Sequence, residues 1–187
     1  VKHENHSPVG AFKVRGGLVY LDELLKQQPE VPGVIAASTG NHGQSIAFAA
    51  RHRGMCAVIV VPHGNNPEKN AAMRALGADL VEHGGEFQEA LEHSRELARS
   101  RGLHPVPSFH PWLVRGVATY ALEWFRAMKD LDVVFVPIGL GSGACGIIAA
   151  REALGLKTRI VGVVSSHAPA YALSFRQRRL VTQPSTT

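Results

Sequence analysis

One lysine, Lys13, stands between Phe12 and Val14 in a stretch that Ser7 and Pro8 open and Arg15, Gly16 and Gly17 close. Its apolar neighbours imply a half-buried amine at the start of a helix. Burial and the positive helix end both disfavour the ammonium form and raise the share of neutral amine. A neutral amine can condense with an aldehyde to a Schiff base. A lysine at a helix start is ordinarily solvated, so the chemistry requires a partner site elsewhere in the chain.

The stretch "VPIGLGSGACGIIAAREALG" (136–155) offers one. It runs from an apolar strand through a glycine-rich turn into a helix. Gly139, Gly141, Gly143 and Gly146 let main-chain N–H groups approach a ligand, and with the helix start behind them those donors suit a phosphate dianion. Two other readings stand beside it. Gly141, Gly143 and Gly146 also satisfy G-x-G-x-x-G, but a dinucleotide site needs an acidic residue about 20 positions on. Val164, Ser165 and Ser166 stand there instead. A bare strand-to-helix turn is the third reading.

A second polar loop, "ASTGNHGQS" (37–45), also follows an apolar run and precedes a helical pattern. Ser38, Thr39, Asn41, His42 and Gln44 crowd it, and Gly40 and Gly43 permit the turn. Simple helix capping explains one such residue. A whole cluster of them at a helix N-terminus suits a carboxylate ligand.

The elements that must position these residues are legible as apolar runs. The segments 33–38, 56–62, 132–139 and 159–166 are rich in Val and Ile without polar alternation, and 78–84 is a weaker fifth. Such runs read as strands covered on both faces. Helical patterns occupy 12–27, 41–53, 86–102 (ended by Gly102), 113–130 and 144–156. Alternation of strand and helix predicts an α/β fold with parallel strands and helices on both faces.

Composition narrows the function classes. The 187 residues carry a net charge of +5, but Lys and Arg are scattered and lack interleaved aromatics, so nucleic acid is not the expected partner. No apolar run reaches the length of a membrane span. The first residues, "VKHENHSP", lack a signal-peptide core. Cys56 and Cys145 form no CxxC and no disulfide framework, which points to a reducing compartment, the cytoplasm. The chain begins close to its first motif and stops at "LVTQPSTT" without an evident last element, as a fragment would.

Three motifs, "ENHSPVGAFKVRGG" (4–17), "ASTGNHGQ" (37–44) and "VPIGLGSGACG" (136–146), occur in an order and at separations that resemble the threonine/serine dehydratases of pyridoxal-phosphate fold type II. That group includes enzymes related to serine racemase and hydroxyaspartate dehydratase. The resemblance implies a tryptophan synthase β-like fold in two lobes: residues 1–32 and 111–187 in the larger, cofactor-binding one and 33–110 in a smaller, mobile one. It implies that Lys13 carries pyridoxal 5'-phosphate as a Schiff base and that Phe12 packs against the cofactor. Gly139, Leu140, Gly141, Ser142 and Gly143 would wrap the phosphate, and Asn41 would bond the ring hydroxyl. Ser38, Thr39, Gly40, Asn41 and His42 would hold the substrate carboxylate. The implied activity is elimination of water from a β-hydroxy amino acid such as threonine or serine, giving a 2-keto acid and ammonia, in a homodimer.

The departures from the family pattern are specific. Leu140 and Ser142 replace glycines of the phosphate turn. Thr39 stands where racemising members carry serine, and Val117 where glutamine is expected. The group that faces the pyridine nitrogen is expected beyond Thr187. Val164, Ala168 and Ala170 replace the carboxylates with which some members bind a divalent cation, so no metal site is expected. The alternatives are a β-replacement enzyme of the same fold, cysteine synthase-like, and an inactive phosphate-binding fragment.

Overall fold

A computed structural model describes residues 1–128 and 130–184. In chain order the elements are α1 (Lys13–Gln27), β1 (Gly33–Ala37), α2 (Asn41–Arg51), β2 (Cys56–Val61), α3 (Pro67–Ala75), β3 (Asp79–Glu82), α4 (Phe87–Arg101), β4 (His104–Pro105), α5 (Pro111–Ala127), β5 (Val133–Pro137), α6 (Ser142–Ala153), β6 (Arg159–Val163) and α7 (Ala170–Gln177). Residues Val1–Val117 form one compact unit and Ala118–Thr187 another. The expected helix 113–130 ends at Ala127. Its Lys129, and Ser185–Thr187 at the end of the expected larger lobe, lie outside the described residues.

In the first unit four parallel strands run in the order β3-β2-β1-β4. The strand alternation divides their side chains between two faces. Val34, Ala36, Ala57, Ile59 and Val61 point into a core shared with Leu21 and Leu24 of α1, Ile46 of α2 and Met73 of α3. Ile35, Val58 and Val60 point the other way, onto Ala90 and Ala98 of α4. Apolar on both faces, β1 and β2 therefore show no polar alternation in sequence.

The second unit is also parallel and α/β, with α6 following β5. Its parallel pair β5-β6 buries Val134 (1% exposed) but leaves Phe135 67% exposed. Two strands covered on a single face alternate in burial even where the residues do not alternate in polarity.

Three elements were not expected from the apolar pattern. β4 has only two residues and pairs at Val34–His104 and Ile35–Pro105. α3 is short and polar, yet its start was legible: Asn66 caps it, accepting from the N–H groups of Glu68 (2.9 Å) and Lys69 (3.1 Å), and Pro67 occupies the first turn. α7 buries no side chain, so it carries no periodic apolar signal. Gly102 ends α4 as expected, with φ of 64° and its N–H donated to the Ala98 carbonyl.

Candidate active site

Lys13 is the first residue of α1, and the N-cap Phe12 supplies no side-chain hydrogen bond to the helix. The segment before it is fixed by local bonds. The Ser7 hydroxyl donates to the Ala11 carbonyl and accepts from the Ala11 N–H, both at 2.9 Å. Arg15 grips Glu4 with two bonds, Nε to Oε2 at 2.7 Å and a terminal nitrogen to Oε1 at 3.1 Å. A third tie comes from α2: the fully buried Ser45 donates its hydroxyl to the Lys13 carbonyl at 2.6 Å. Gly17 permits this approach, because a Cβ there would run into Ser45 Oγ and would lie 2.8 Å from the Ser45 carbonyl oxygen.

The Lys13 amine forms no ion pair among the described residues, and burial lowers its pKa from the ordinary lysine range. Both results match the half-buried, charge-disfavouring setting expected from Phe12 and Val14.

The 37–45 loop lies in the same unit, at the carboxyl end of β1. Ser38 turns inward: its Oγ accepts from the N–H groups of Gly40 (3.3 Å) and Gly43 (2.9 Å). Ser38 thus shapes the loop and retains one O–H for a ligand. The N–H groups of Asn41 and His42 have no protein acceptor among the described residues, so the start of α2 presents two free donors. Thr39 and Asn41 are exposed, while Gly40 and His42 are buried.

His42 adds an unsatisfied side chain. It is 7% exposed, and its Nε2 has no hydrogen-bond partner. Burial, and secondarily the Lys13 charge, push its pKa down to about 4 against the opposing bond to the Val106 backbone. The ring is therefore neutral at ordinary pH. The ring nitrogen bonded to the Val106 carbonyl carries the proton, and Nε2 is an open acceptor.

A pH dependence follows. Below pH 6.5 the unfolded chain protonates this histidine and the folded chain does not. Stability is complete above about pH 6.5 and declines as pH falls towards about 4, by about 3 kcal/mol in all. Urea unfolding of the protein and of His42→Gln, compared from pH 4.5 to 7.5, checks this. The stability gap between the two should narrow as pH falls, and a gap independent of pH would contradict it.

In the second unit, β5 leads into the glycine turn and α6. Gly141 is the N-cap of α6 and takes φ of 94°, in the left-handed region that favours glycine. The first bond of the helix runs from the Cys145 N–H to the Gly141 carbonyl at 2.9 Å. The N–H groups of Gly139, Leu140, Gly141, Ser142 and Gly143 reach no protein acceptor among the described residues. A Cβ added at Gly139 or Gly141 would meet nothing within 4 Å, so the approach to these donors is open. Leu140 points outward at 54% exposure, while Ser142 and Gly143 are buried. The two non-glycine residues therefore do not block the turn. The Tyr120 hydroxyl bonds the Gly143 carbonyl at 3.4 Å. A run of free N–H groups at a helix start is a phosphate seat in its chemistry.

Val117, where the family resemblance leads one to expect glutamine, is buried, with its methyl 3.3 Å from the position of a Cβ on Gly16. It serves helix packing. Ser45 and Lys69 are site-related residues that spacing did not reveal. Ser45 is masked by the apolar face of α2, and Lys69 reaches the loop from α3. Among the described residues no helix is long and apolar enough to cross a membrane.

Known proteins share this framework. The chain is 36% identical over 166 residues to the biosynthetic L-threonine dehydratase of Haemophilus influenzae, covering 88% of this chain and 32% of that protein. The solved structure of the processed form of threonine deaminase isoform 2 from Solanum lycopersicum superposes with a TM-score of 0.91 and 33% identity, over 99% of this chain and 54% of that one. Maize serine racemase also superposes at a TM-score of 0.91, with 26% identity over 96% of this chain and 55% of that one. The chain thus spans about a third of the length of the curated relatives and about half of the solved chains. The family model described as "Pyridoxal-phosphate dependent enzyme" matches residues 1–187. By this match and by these relatives, the chain belongs to the pyridoxal-phosphate-dependent enzyme family.

Proposed function

We propose that the protein is a pyridoxal-phosphate-dependent dehydratase that converts a β-hydroxy amino acid, such as threonine or serine, to a 2-keto acid and ammonia. The observation that carries this reading is the state of Lys13: an amine without an ion-pair partner whose charged form is disfavoured by burial, in a chain of this family.

The residues present fit the cofactor. An unpaired lysine suits the aldehyde, a turn with free N–H groups suits the phosphate, and a second helix start with free donors suits a carboxylate. In this reading the Lys13 amine would attach the cofactor, Phe12 would pack on it and Asn41 would bond its ring hydroxyl. The N–H groups of Gly139, Leu140, Gly141, Ser142 and Gly143 would hold its phosphate. When bound, pyridoxal phosphate supplies an electron sink for the charge left when the substrate loses its Cα proton.

The protein's own residues do the rest. Lys13, once free, takes the Cα proton as general base, a task for which a lowered amine pKa is suited. Ser38, Thr39, Gly40, Asn41 and His42 orient the carboxylate, chiefly through the N–H groups of Asn41 and His42. His42 Nε2 accepts a hydrogen bond from a ligand O–H or N–H. We further take 1–32 and 111–187 to belong to a larger lobe and 33–110 to a smaller, mobile one, in a cytoplasmic homodimer.

Incubation of the cofactor-loaded protein with threonine, serine and 3-hydroxyaspartate, and separately with O-acetylserine plus a thiol, tests the reading. Keto acid and ammonia should appear in equal amounts from at least one hydroxy amino acid. Thioether formation without keto acid would place the protein among the β-replacement enzymes. A protein that takes up no cofactor would overturn both.

A further inference from the structure

The 38–42 loop has a neighbour that neither the motifs nor the mechanism above uses. A Cβ built on Gly40 would lie 3.2 Å from Lys69 Nζ and 3.3 Å from its Cδ. The lysine stem therefore lies against Gly40, the N-cap of α2, and holds its ammonium at the N-terminal end of that helix. The backbone of Lys69 is fixed in the first turn of α3, with its N–H donated to Asn66 Oδ1 at 3.1 Å. The ammonium forms no ion pair among the described residues.

This is an unfavourable place for an unpaired cation. The start of a helix repels positive charge, and the Lys13 amine belongs to the same unit. The neutral His42, 7% exposed with Nε2 unpartnered, brings no compensating negative charge. The loop thus has Lys69 against its Gly40, a helix start at Asn41 and His42, and an open acceptor on His42, whose ring also feels the Lys13 charge. An amino acid would satisfy all of these at once, through one carboxylate and at least one O–H or N–H donor.

We propose that Lys69 is a ligand-binding residue, its ammonium pairing with the carboxylate of the amino-acid ligand held at the 38–42 loop. The proposal rests on the carboxylate role given to that loop above. Lys69 is on the exposed side, so it acts in capture: it strengthens binding of the anion and makes it salt-dependent, without touching the reacting Cα.

The probe is sodium propionate, which has the carboxylate but no amine. It is titrated into the cofactor-loaded protein while the amide signals of Gly40, Asn41 and His42 are followed by NMR. These signals should shift saturably. Lys69→Met should weaken binding about fivefold and flatten its dependence on ionic strength, and Lys69→Arg should restore both. With the reacting substrate, Lys69→Met should raise KM by a similar factor and leave kcat and the visible spectrum of the bound cofactor unchanged. If Lys69→Met binds propionate as tightly as the parent, with the same salt dependence, the proposal is wrong while the loop assignment stands. If propionate fails to shift these amides in the parent protein, the loop assignment itself fails and the role of Lys69 falls with it.

Discussion

Lys13→Ala should abolish borohydride-reducible cofactor attachment and lower turnover by at least about 10,000-fold, the upper range for loss of a general base. The effect is large because one amine has two tasks in this reading, covalent attachment and proton transfer. The buried side chain seen to interact with it cannot replace it. His42, whose ring the Lys13 charge reaches, has its pKa pushed down to about 4 and is neutral and too weak a base, and an imidazole cannot form the imine. Lys13→Arg should fare no better, since a guanidinium stays protonated and cannot form the imine. Absorbance spectra with and without borohydride, followed by peptide mapping of the reduced adduct, give the answer. An adduct retained at full yield in Lys13→Ala would remove the basis of the functional reading.

Gly116→Ala should destabilise the fold by about 3 kcal/mol, the upper range for overpacking. Gly116 of α5 faces Arg15 and Gly16 of α1. A Cβ there would run into the Arg15 carbonyl oxygen and lie 2.7 Å from Gly16 Cα. From the other side, a Cβ on Gly16 would lie 2.9 Å from the Leu113 carbonyl oxygen. These are backbone atoms, so no rotamer change relieves the clash.

Alanine is worth up to about 1 kcal/mol more than glycine inside a helix, so propensity alone predicts a gain. The sign of the measured change therefore separates the two effects. Urea unfolding should show the midpoint lowered by 1 M or more at an ordinary slope of about 1–3 kcal/mol per M. A midpoint equal to or above that of the parent would show that the two helices are not packed backbone to backbone. The crossing also bears on function: Gly16 and Arg15 follow Lys13 by one turn or less, so a separation of α1 from α5 displaces the amine.

The residues that could do chemistry were legible because their types are unusual for their places. Lys13 sits among apolar neighbours, and the 139–143 turn gathers glycines where a plain connection needs one. The buried strands were legible for an equally physical reason. A strand covered by helices on both faces cannot carry polar residues on either, and β1 and β2 obey this. β5 carries the same apolar signature, and within this chain Val134 is buried while Phe135 is exposed. Composition reports what a strand tolerates, while the layers around it decide what is covered.

The sequence by itself determined the order of strands and helices, the turn that can present five N–H groups, and the identity of the candidate amine. These depend on local rules of backbone freedom and apolar periodicity. Only the tertiary structure decided which side chains bond within the loop and which keep an open hydrogen-bonding atom. Ser38 spends its oxygen on two loop N–H groups, His42 is left neutral with an open nitrogen, and Ser45 ties α2 to the carbonyl of Lys13. It alone brings Lys69 across Gly40 from a helix 29 positions further along the chain. Such relations are set by the packing of distant segments on a common sheet, and residue spacing along the chain does not encode them.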